Sequence, residues 1–210
     1  MRLKLVFLGI MISHFASGQI LQDRDLYLKM SGSLGNYYGG KISLEYINKK
    51  DYSFSLGVYG QGRKYRDLPN DYVSPSGIFA WMSFGLDYPQ EEWTTFYITF
   101  GKILKTSNDK IRFNLSGGLD FNNLKYPSDF KKITPVNTSE NYSYTYLTKN
   151  PLGLIINPTV DFAICKYWGF STGLISNISP NRCSLAFEVS LLCGIVRNEK
   201  KITAANLPCL

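Results

Sequence analysis

Histidine is almost missing from this chain of 210 residues, whose single example is His14. That residue lies in an N-terminal segment that we expect to be removed, so the mature chain has none. A chain without histidine forms no Ser-His-Asp or Cys-His catalytic system and cannot bind zinc through imidazole. The sequence therefore predicts a protein that is not an enzyme, with no catalytic residues, no metal site and no cofactor.

Long hydrophobic runs are also lacking. After the N-terminus, no run approaches the roughly 18 apolar residues that a membrane helix needs. The N-terminus carries Arg2 and Lys4, an apolar stretch at residues 5–12, and small residues at 16–18. This order is typical of an export signal at residues 1–18, cleaved before Gln19, with a buried N-terminal strand as the alternative. No cysteine follows the apolar stretch directly, so nothing marks a lipoprotein.

Charged residues are scarce at 19%, below the roughly 25% of soluble domains, while aromatic residues reach 15%. The formal net charge is +7, and the lysine and arginine residues are scattered along the chain without forming a basic helix or stripe. We therefore expect no nucleic-acid partner. Contact with anionic headgroups of outer-membrane lipid suits an exported basic chain better.

In place of long hydrophobic runs, the chain has segments in which apolar residues alternate with small or polar ones. In residues 183–195 every second residue from Cys183 to Ile195 is apolar, and Leu192 is the exception among the rest. Successive side chains of a strand point to opposite faces, so each such segment has one apolar and one polar face. Eight segments predict an all-β fold, an antiparallel up-and-down transmembrane β-barrel. The segments are 26–31, 41–46, 52–63, 96–101, 111–122, 152–164, 168–177 and 183–195.

The connections between these segments alternate in length. Short ones lie at residues 48–51, 105–109 and 166–167, and long ones at 65–92 and 125–151, while the first and last hairpins are tighter, at 35–39 and 179–182. Short turns on one rim and long loops on the other are typical of outer-membrane barrels, with both chain ends on the periplasmic side. Pro158 cannot donate a ladder hydrogen bond, so it predicts a local bulge or an unpaired site in the sixth segment.

Alternation alone does not decide which face points inward. A soluble periplasmic or secreted lipocalin-like barrel, carrying a small apolar ligand, has the same period. Here the polar face is rich in Ser, Gly, Asn and Thr, and aromatic residues such as Tyr46 and Trp168 gather near the predicted rims, at headgroup level. The charges of the polar face also nearly balance, as a narrow lumen requires. The predicted polar network of the lumen is Lys29, Lys41, Glu45, Arg63, Arg112, Asp120, Asp161 and Glu188.

Two smaller groups of residues carry chemically reactive side chains, a pair of aspartates and four cysteines. Asp120 and Asp161 could form a carboxylate pair, but membership of an ion network with Arg112 is favoured. The cysteines Cys165, Cys183, Cys193 and Cys209 do not follow a zinc spacing. Cys183 and Cys193 are too far apart on one strand to bond and are expected to face lipid, whereas Cys209 could pair with Cys165 or Cys193 in an exported compartment.

Several short motifs carry a family resemblance. They are Lys110-Ile111-Arg112-Phe113-Asn114 with Gly117-Gly118, Tyr142-Ser143-Tyr144-Thr145 before Leu152-Gly153-Leu154, Asn177-Ile178-Ser179, and Gly194-Ile195-Val196-Arg197. With these motifs the chain resembles the small outer-membrane β-barrel domain proteins of Bacteroidota over nearly its whole mature length. The resemblance implies an eight-stranded, OmpA-type barrel in the cell outer membrane, in a family whose functions are mostly unassigned.

We therefore predict a monomeric barrel of eight strands over residues 19–197, with a C-terminal periplasmic tail at 198–210. Residues 78–86 also alternate and are assigned to a strand within the first long loop, with a ten-stranded barrel as the alternative. Function is expected in the two long loops, whose exposed aromatic residues are candidates for binding another cell-surface or periplasmic molecule. These candidates are Tyr72, Trp81, Tyr88, Tyr142 and Tyr144.

Overall fold

The chain forms a closed antiparallel barrel in the computed structural model, which describes residues 24–73, 88–106, 109–133, 141–180 and 182–196. Eight strands make the ring in the order β1-β2-β3-β4-β5-β7-β8-β9, closed by the β4–β5 and β1–β9 pairings. The predicted all-β, up-and-down barrel of eight strands is confirmed. The strands are β1 (Asp25–Gly35), β2 (Tyr38–Ile47), β3 (Tyr52–Lys64), β4 (Gln90–Lys105), β5 (Ile111–Lys132), β6 (Tyr142–Lys149), β7 (Leu152–Ala163), β8 (Trp168–Ser179) and β9 (Arg182–Ile195).

One further strand, β6, lies outside this ring of eight. It pairs with the far part of β5, from Leu124 to Lys132, whereas β7 pairs with the near part of β5. The prediction of one long loop at residues 125–151 is therefore wrong, because much of it is a β5–β6 hairpin that extends beyond the ring. Its residues Tyr142 to Tyr146 alternate tyrosine with serine and threonine, a composition in which tyrosine and threonine favour strands. The other long connection ends before Gln90, so its predicted limit at residue 92 falls inside β4.

The two ends of the barrel differ in what they carry. We call the end with Asp25, Ile195 and the turns after β2, β4 and β7 the terminal end, and the end with the β5–β6 hairpin the loop end. The predicted export signal, the strand at residues 78–86 and the tail at 198–210 lie outside the described residues. Across the described ranges, no helix is long and apolar enough to span a membrane.

The distribution of buried side chains is the reverse of that in a soluble protein: apolar side chains lie on the outside and charged ones on the inside. Outward-facing Leu119 and Phe100 are 61% and 60% exposed, whereas inward-facing Lys29 is only 1% exposed. Because side chains alternate along each strand, the same inversion repeats around the ring. A lipocalin-like barrel, whose apolar strand faces point inward, is therefore wrong for this chain, since the apolar faces point outward and charged and polar side chains are buried inside.

Pro158 interrupts one ladder of the ring. The β7–β8 pairs stop at Ile156 and Ser176 and resume at Thr159 and Gly173 in an unchanged register. The predicted unpaired site is confirmed, and the unchanged register means that no residue is bulged out there. Proline lacks the N–H that would reach the facing strand.

The described cysteines carry free thiols. Cys165 and Cys183 are exposed and Cys193 is half-buried, while Cys209 lies outside the described residues. Cys183 follows the outward parity of β9, in line with its expected position on the apolar outer face.

Candidate functional site

The middle of the lumen is held by two buried ion pairs. Lys29 Nζ lies 3.3 Å from Asp161 Oδ1, and Lys41 Nζ lies 2.7 Å from Glu188 Oε2. All four residues are at most 3% exposed to solvent. Charges this deeply buried are tolerated only when they are paired and hydrogen-bonded. These four residues and Glu45, which lies beside them, form what we call the central network.

Amide side chains link the central network to the barrel wall. Asn114 Nδ2 donates to Glu45 Oε1 at 2.7 Å. Asn157 accepts from Lys41 Nζ at 2.9 Å and donates to Glu188 Oε1 at 3.0 Å. The network therefore reaches across the lumen from β1 and β2 to β5, β7 and β9, and it crosses the barrel rather than following one strand.

The other predicted lumen residues have partners outside the central network. Arg112 is paired with Asp25 at 2.9 Å near the terminal end, and Arg63 is paired with Glu91 at 2.7 Å near the loop end. Asp120 accepts a hydrogen bond from Asn122 Nδ2 at 2.8 Å. The predicted set is thus distributed along the lumen in separate layers.

Asp120 and Asp161 are too far apart to act together. Asp161 faces Arg112 across the β5–β7 ladder, whereas Asp120 faces Gly153. Arg112 and Asp120 are eight residues apart on one strand, which corresponds to about 26 Å. Acid–base pairs of carboxylates need separations of roughly 5–9.5 Å. Among the described residues, no group of three or more His, Cys, Asp or Glu side chains could hold a metal ion.

One apolar cluster lies on each side of the central network, towards the two ends of the barrel. At the terminal end Tyr27, Ile47 and Leu192 are each at most 1% exposed and pack with Ile103 and Val196. At the loop end the equivalent cluster is made by Tyr37, Trp93 and Leu124, in which the Tyr37 and Trp93 rings meet edge-to-face at 5.6 Å. We call these clusters the terminal plug and the loop-end plug. Between them, side chains fill the space that an eight-stranded ring encloses.

A buried glutamate ties the strand ends together at the loop end. Glu91 is completely buried and accepts hydrogen bonds from Tyr37 at 2.6 Å, Arg63 at 2.7 Å and Arg182 at 2.9 Å. The Arg63 guanidinium also lies 4.4 Å from the centre of the Tyr37 ring. These donors come from the β1–β2 turn, the end of β3 and the start of β9. The sequence did not reveal Glu91, because the alternation pattern places residue 91 in a long loop, whereas it is the second residue of β4.

The aromatic residues predicted as loop contacts pack on one another. Tyr72 lies against Phe130 and Tyr142 at centroid distances of 6.5 and 6.2 Å, and Phe130 lies 5.5 Å from Tyr144. Tyr88 lies 6.4 Å from Tyr72. All four tyrosines are half-buried rather than exposed as expected, because the connection after β3 folds onto the hairpin. Trp81 lies outside the described residues.

An exposed polar contact fastens the same connection to the hairpin. Asp71 accepts from Lys132 Nζ at 2.6 Å and from the Tyr142 hydroxyl at 2.5 Å. These two hydrogen bonds, that of Lys132 first, hold the pKa of Asp71 below its usual range. The same carboxylate raises the pKa of Lys132 and of Tyr142. Val73 N–H also donates to Asn141 Oδ1 at 2.9 Å, so the backbone is fixed next to the ion pair.

Comparison with known proteins gives similarity to solved structures alone. No family model and no curated protein sequence matches the chain. The N-terminal β-barrel domain of Pseudomonas aeruginosa OprF is 10% identical, with a TM-score of 0.49, and the match covers 82% of this chain and 97% of that one. The Yersinia pestis attachment invasion locus protein Ail is 8% identical, with a TM-score of 0.44 and coverages of 81% and 94%. Neisserial surface protein A is 12% identical, with a TM-score of 0.43 and coverages of 81% and 92%. These similarities concern the fold alone, that of a small antiparallel barrel.

Proposed function

We propose that this protein is an integral outer-membrane barrel without enzymatic activity, which presents its loop end for a structural or surface-binding role. The observation that carries the proposal is the inversion of burial. Large apolar side chains cover the outside of the wall, and ion pairs lie inside it. In water, each square ångström of that apolar surface would cost about 25 cal/mol relative to an apolar surrounding.

Closure of the ring supports the same proposal. In a bilayer core every backbone N–H and C=O must find a partner within the protein, and a closed barrel achieves this with strands. Here the β1–β9 pairing joins the first and last strands over ten residue pairs, from Leu26 to Gly35. The ring therefore has no open sheet edge to expose to lipid.

Because side chains pack the lumen, we place the function at the loop end. The side chains of the terminal plug, the central network and the loop-end plug occupy the lumen in successive layers, so transport through the barrel is not what this fold favours. The Glu91 contacts and the aromatic packing on the hairpin instead hold together the described part of the loop end. A preorganised surface of this kind reduces the entropic cost of binding another molecule.

Two arginine substitutions test the membrane surrounding. Ile98 lies midway along β4 on the ring, and Leu147 lies on β6 outside the ring; both are 44% exposed. In a bilayer, Ile98→Arg should destabilise the barrel by about 2–4 kcal/mol, whereas Leu147→Arg should have little effect. A water-soluble barrel would tolerate both changes alike.

The measurement is urea unfolding of protein refolded into lipid vesicles, together with gel migration of unboiled samples. We expect the native protein to fractionate with outer membranes and to migrate differently before and after boiling. Recovery of folded protein in the soluble periplasmic fraction, or equal stability of the two arginine variants, would overturn the proposal.

A further inference from the structure

An apolar groove crosses the outer wall near the loop end, over β9, β1 and β2. It has a volume of about 550 Å³, and Leu34, Tyr38, Phe187 and Val189 line it. Gly32 forms its floor: it faces Val189 across the β1–β9 ladder, and a Cβ added to it would meet no atom within 4 Å. The groove is therefore a gap in the cover of large side chains on this part of the wall.

A basic pocket adjoins this groove at the rim. It encloses about 490 Å³ and is lined by Asn36, Arg63, Lys64, Tyr65 and Arg66, among others. Tyr38 of the groove pairs with Gly62 of β3, and Arg63 and Lys64 follow Gly62 directly. The basic pocket thus begins where the apolar groove ends.

The cations of the pocket divide into two kinds. Arg63 points inward and is neutralised by Glu91. Lys64 continues the outward parity of β3 and is exposed, with its Nζ lying 3.3 Å from the centre of the Tyr88 ring. Arg66 is exposed as well. Two exposed acids lie nearby, Asp67 directly after Arg66 and Glu92 opposite Gly62 across the β3–β4 ladder, but neither is among the residues that line the pocket. The outward cations therefore lie at the height where the apolar wall gives way to the polar rim.

We propose that the groove and the basic pocket together bind one anionic, phosphate-bearing lipid, with an acyl chain along the groove and the phosphate at Lys64 and Arg66. The proposal rests on the proposed function, because only a barrel in a bilayer meets lipid along this wall. Basic side chains at a membrane surface attract anionic headgroups. A chain seated over Gly32 would restore the contacts that the missing side chain leaves open.

A second copy of the chain fits the groove less well. A two-fold dimer brings the same patch of both copies together, so the Lys64 and Arg66 side chains of both copies would lie along one shared rim. Like charges at a shared rim repel, whereas a phosphate between them attracts both. Charge complementarity therefore selects the lipid.

The test uses the full mature chain in vesicles of phosphatidylcholine containing phosphatidylglycerol, followed by mild detergent extraction and native mass spectrometry. We expect one retained phosphatidylglycerol in preference to phosphatidylcholine. Lys64→Gln with Arg66→Gln should weaken retention by about fivefold for each cation removed. Gly32→Leu, which fills the groove, should also weaken it.

Matched variants on the same wall serve as controls. Gly60→Leu adds the same side chain in a neighbouring depression, where a Cβ likewise meets no atom within 4 Å, and it should leave retention unchanged. Lys102→Gln removes an outward cation near the terminal end and should also have no effect.

Three outcomes would overturn the inference. They are equal retention of the two lipids, equal effects of Gly32→Leu and Gly60→Leu, and a dimer that Gly32→Leu abolishes. Failure of the unchanged chain to insert into vesicles would overturn the proposed function itself, whereas insertion without selective lipid retention would overturn only this inference.

Discussion

Asn157 donates from Nδ2 to the carbonyl oxygen of Leu174, 2.8 Å away, at the place where Pro158 interrupts the β7–β8 ladder. In the register of these strands Leu174 lies opposite Pro158, which has no N–H to offer. The side chain of the preceding residue thus replaces the missing backbone donor. The same amide contacts Lys41 and Glu188, so one residue joins the defect in the wall to the central network.

Replacing Asn157 should therefore damage two parts of the barrel at once. We expect Asn157→Ala to destabilise the folded protein by about 2–4 kcal/mol, because it leaves the Leu174 carbonyl and the central network with unsatisfied groups. Pro158→Val restores a backbone donor, so the cost of Asn157→Ala should be smaller in that background. Urea unfolding of the four proteins of this double-mutant cycle measures the coupling, and strict additivity would contradict the assigned role.

The Lys41–Glu188 pair predicts an asymmetric pair of mutants. Glu188→Leu leaves the Lys41 ammonium buried without its acid, and we expect a loss of about 3–5 kcal/mol in the free energy of unfolding. Lys41→Met combined with Glu188→Leu should recover much of that loss, because no buried charge is then left unpaired.

The exposed Asp71–Lys132 pair provides the control for this experiment. Its nitrogen–oxygen distance is 2.6 Å, similar to that of the buried pair, but its side chains are 51% and 67% exposed. Lys132→Met should leave the unfolding midpoint nearly unchanged, since solvent screens such pairs. If Glu188→Leu behaved in the same way, Glu188 would have to be solvated in the folded barrel.

The contact that docks the connection after β3 should depend on pH in a defined direction. The pKa of Asp71 is lower in the folded protein, so its contribution is present above about pH 4 and is lost as the pH falls through the folded value. The pKa values of Lys132 and Tyr142 are raised, so their contributions are lost only as the pH rises above about 10.

Carbon NMR titration of the Asp71 carboxyl group checks this prediction. Lys132→Gln should raise the pKa of Asp71 toward its usual range more than Tyr142→Phe does, since Lys132 makes the larger contribution. An unchanged titration in both variants would show that the contact does not persist in solution.

The two plugs predict that the barrel conducts few ions. Eight strands enclose a lumen only wide enough for side chains, and Trp93 and Leu192 fill its two ends. Planar-bilayer recordings should show no steady conductance, and Trp93→Ala alone should also remain closed because the terminal plug persists. Steady large conductance of the unchanged protein would contradict the packed lumen.

The parts of this fold that follow from local pattern were predictable. Alternation along residues such as Cys183, Leu185 and Phe187 depends only on which face is buried, so it identified the strands of the ring and their apolar side. Long-range partners were not predictable in the same way. Asn157 and Leu174 meet because two strands are in register, and Glu91 meets Arg182 because the ring closes.

The loop end shows the same limit. Tyr142 and Tyr144 were recognised as a group of aromatic residues, but an aromatic strand and an aromatic loop have similar compositions over a few residues. Pairing of β6 with the far end of β5 distinguishes them, and that pairing depends on the length of β5. Whether an aromatic ring is free or packed depends further on the connection that folds over it.

Shortening the β5–β6 hairpin tests whether the ring of eight strands assembles without the loop-end surface that it carries. Tyr126 and Leu147 pair across β5 and β6, so an Asn-Gly turn can join them directly and remove residues 127–146. The shortened barrel should still assemble and change its gel migration on boiling, because the ring pairs of β5 end at Lys125 and Leu124 of the loop-end plug is retained. Any binding of a surface molecule through Tyr142 or Tyr144 should be lost. Failure of this variant to refold in vesicles would instead show that the hairpin is required for the wall.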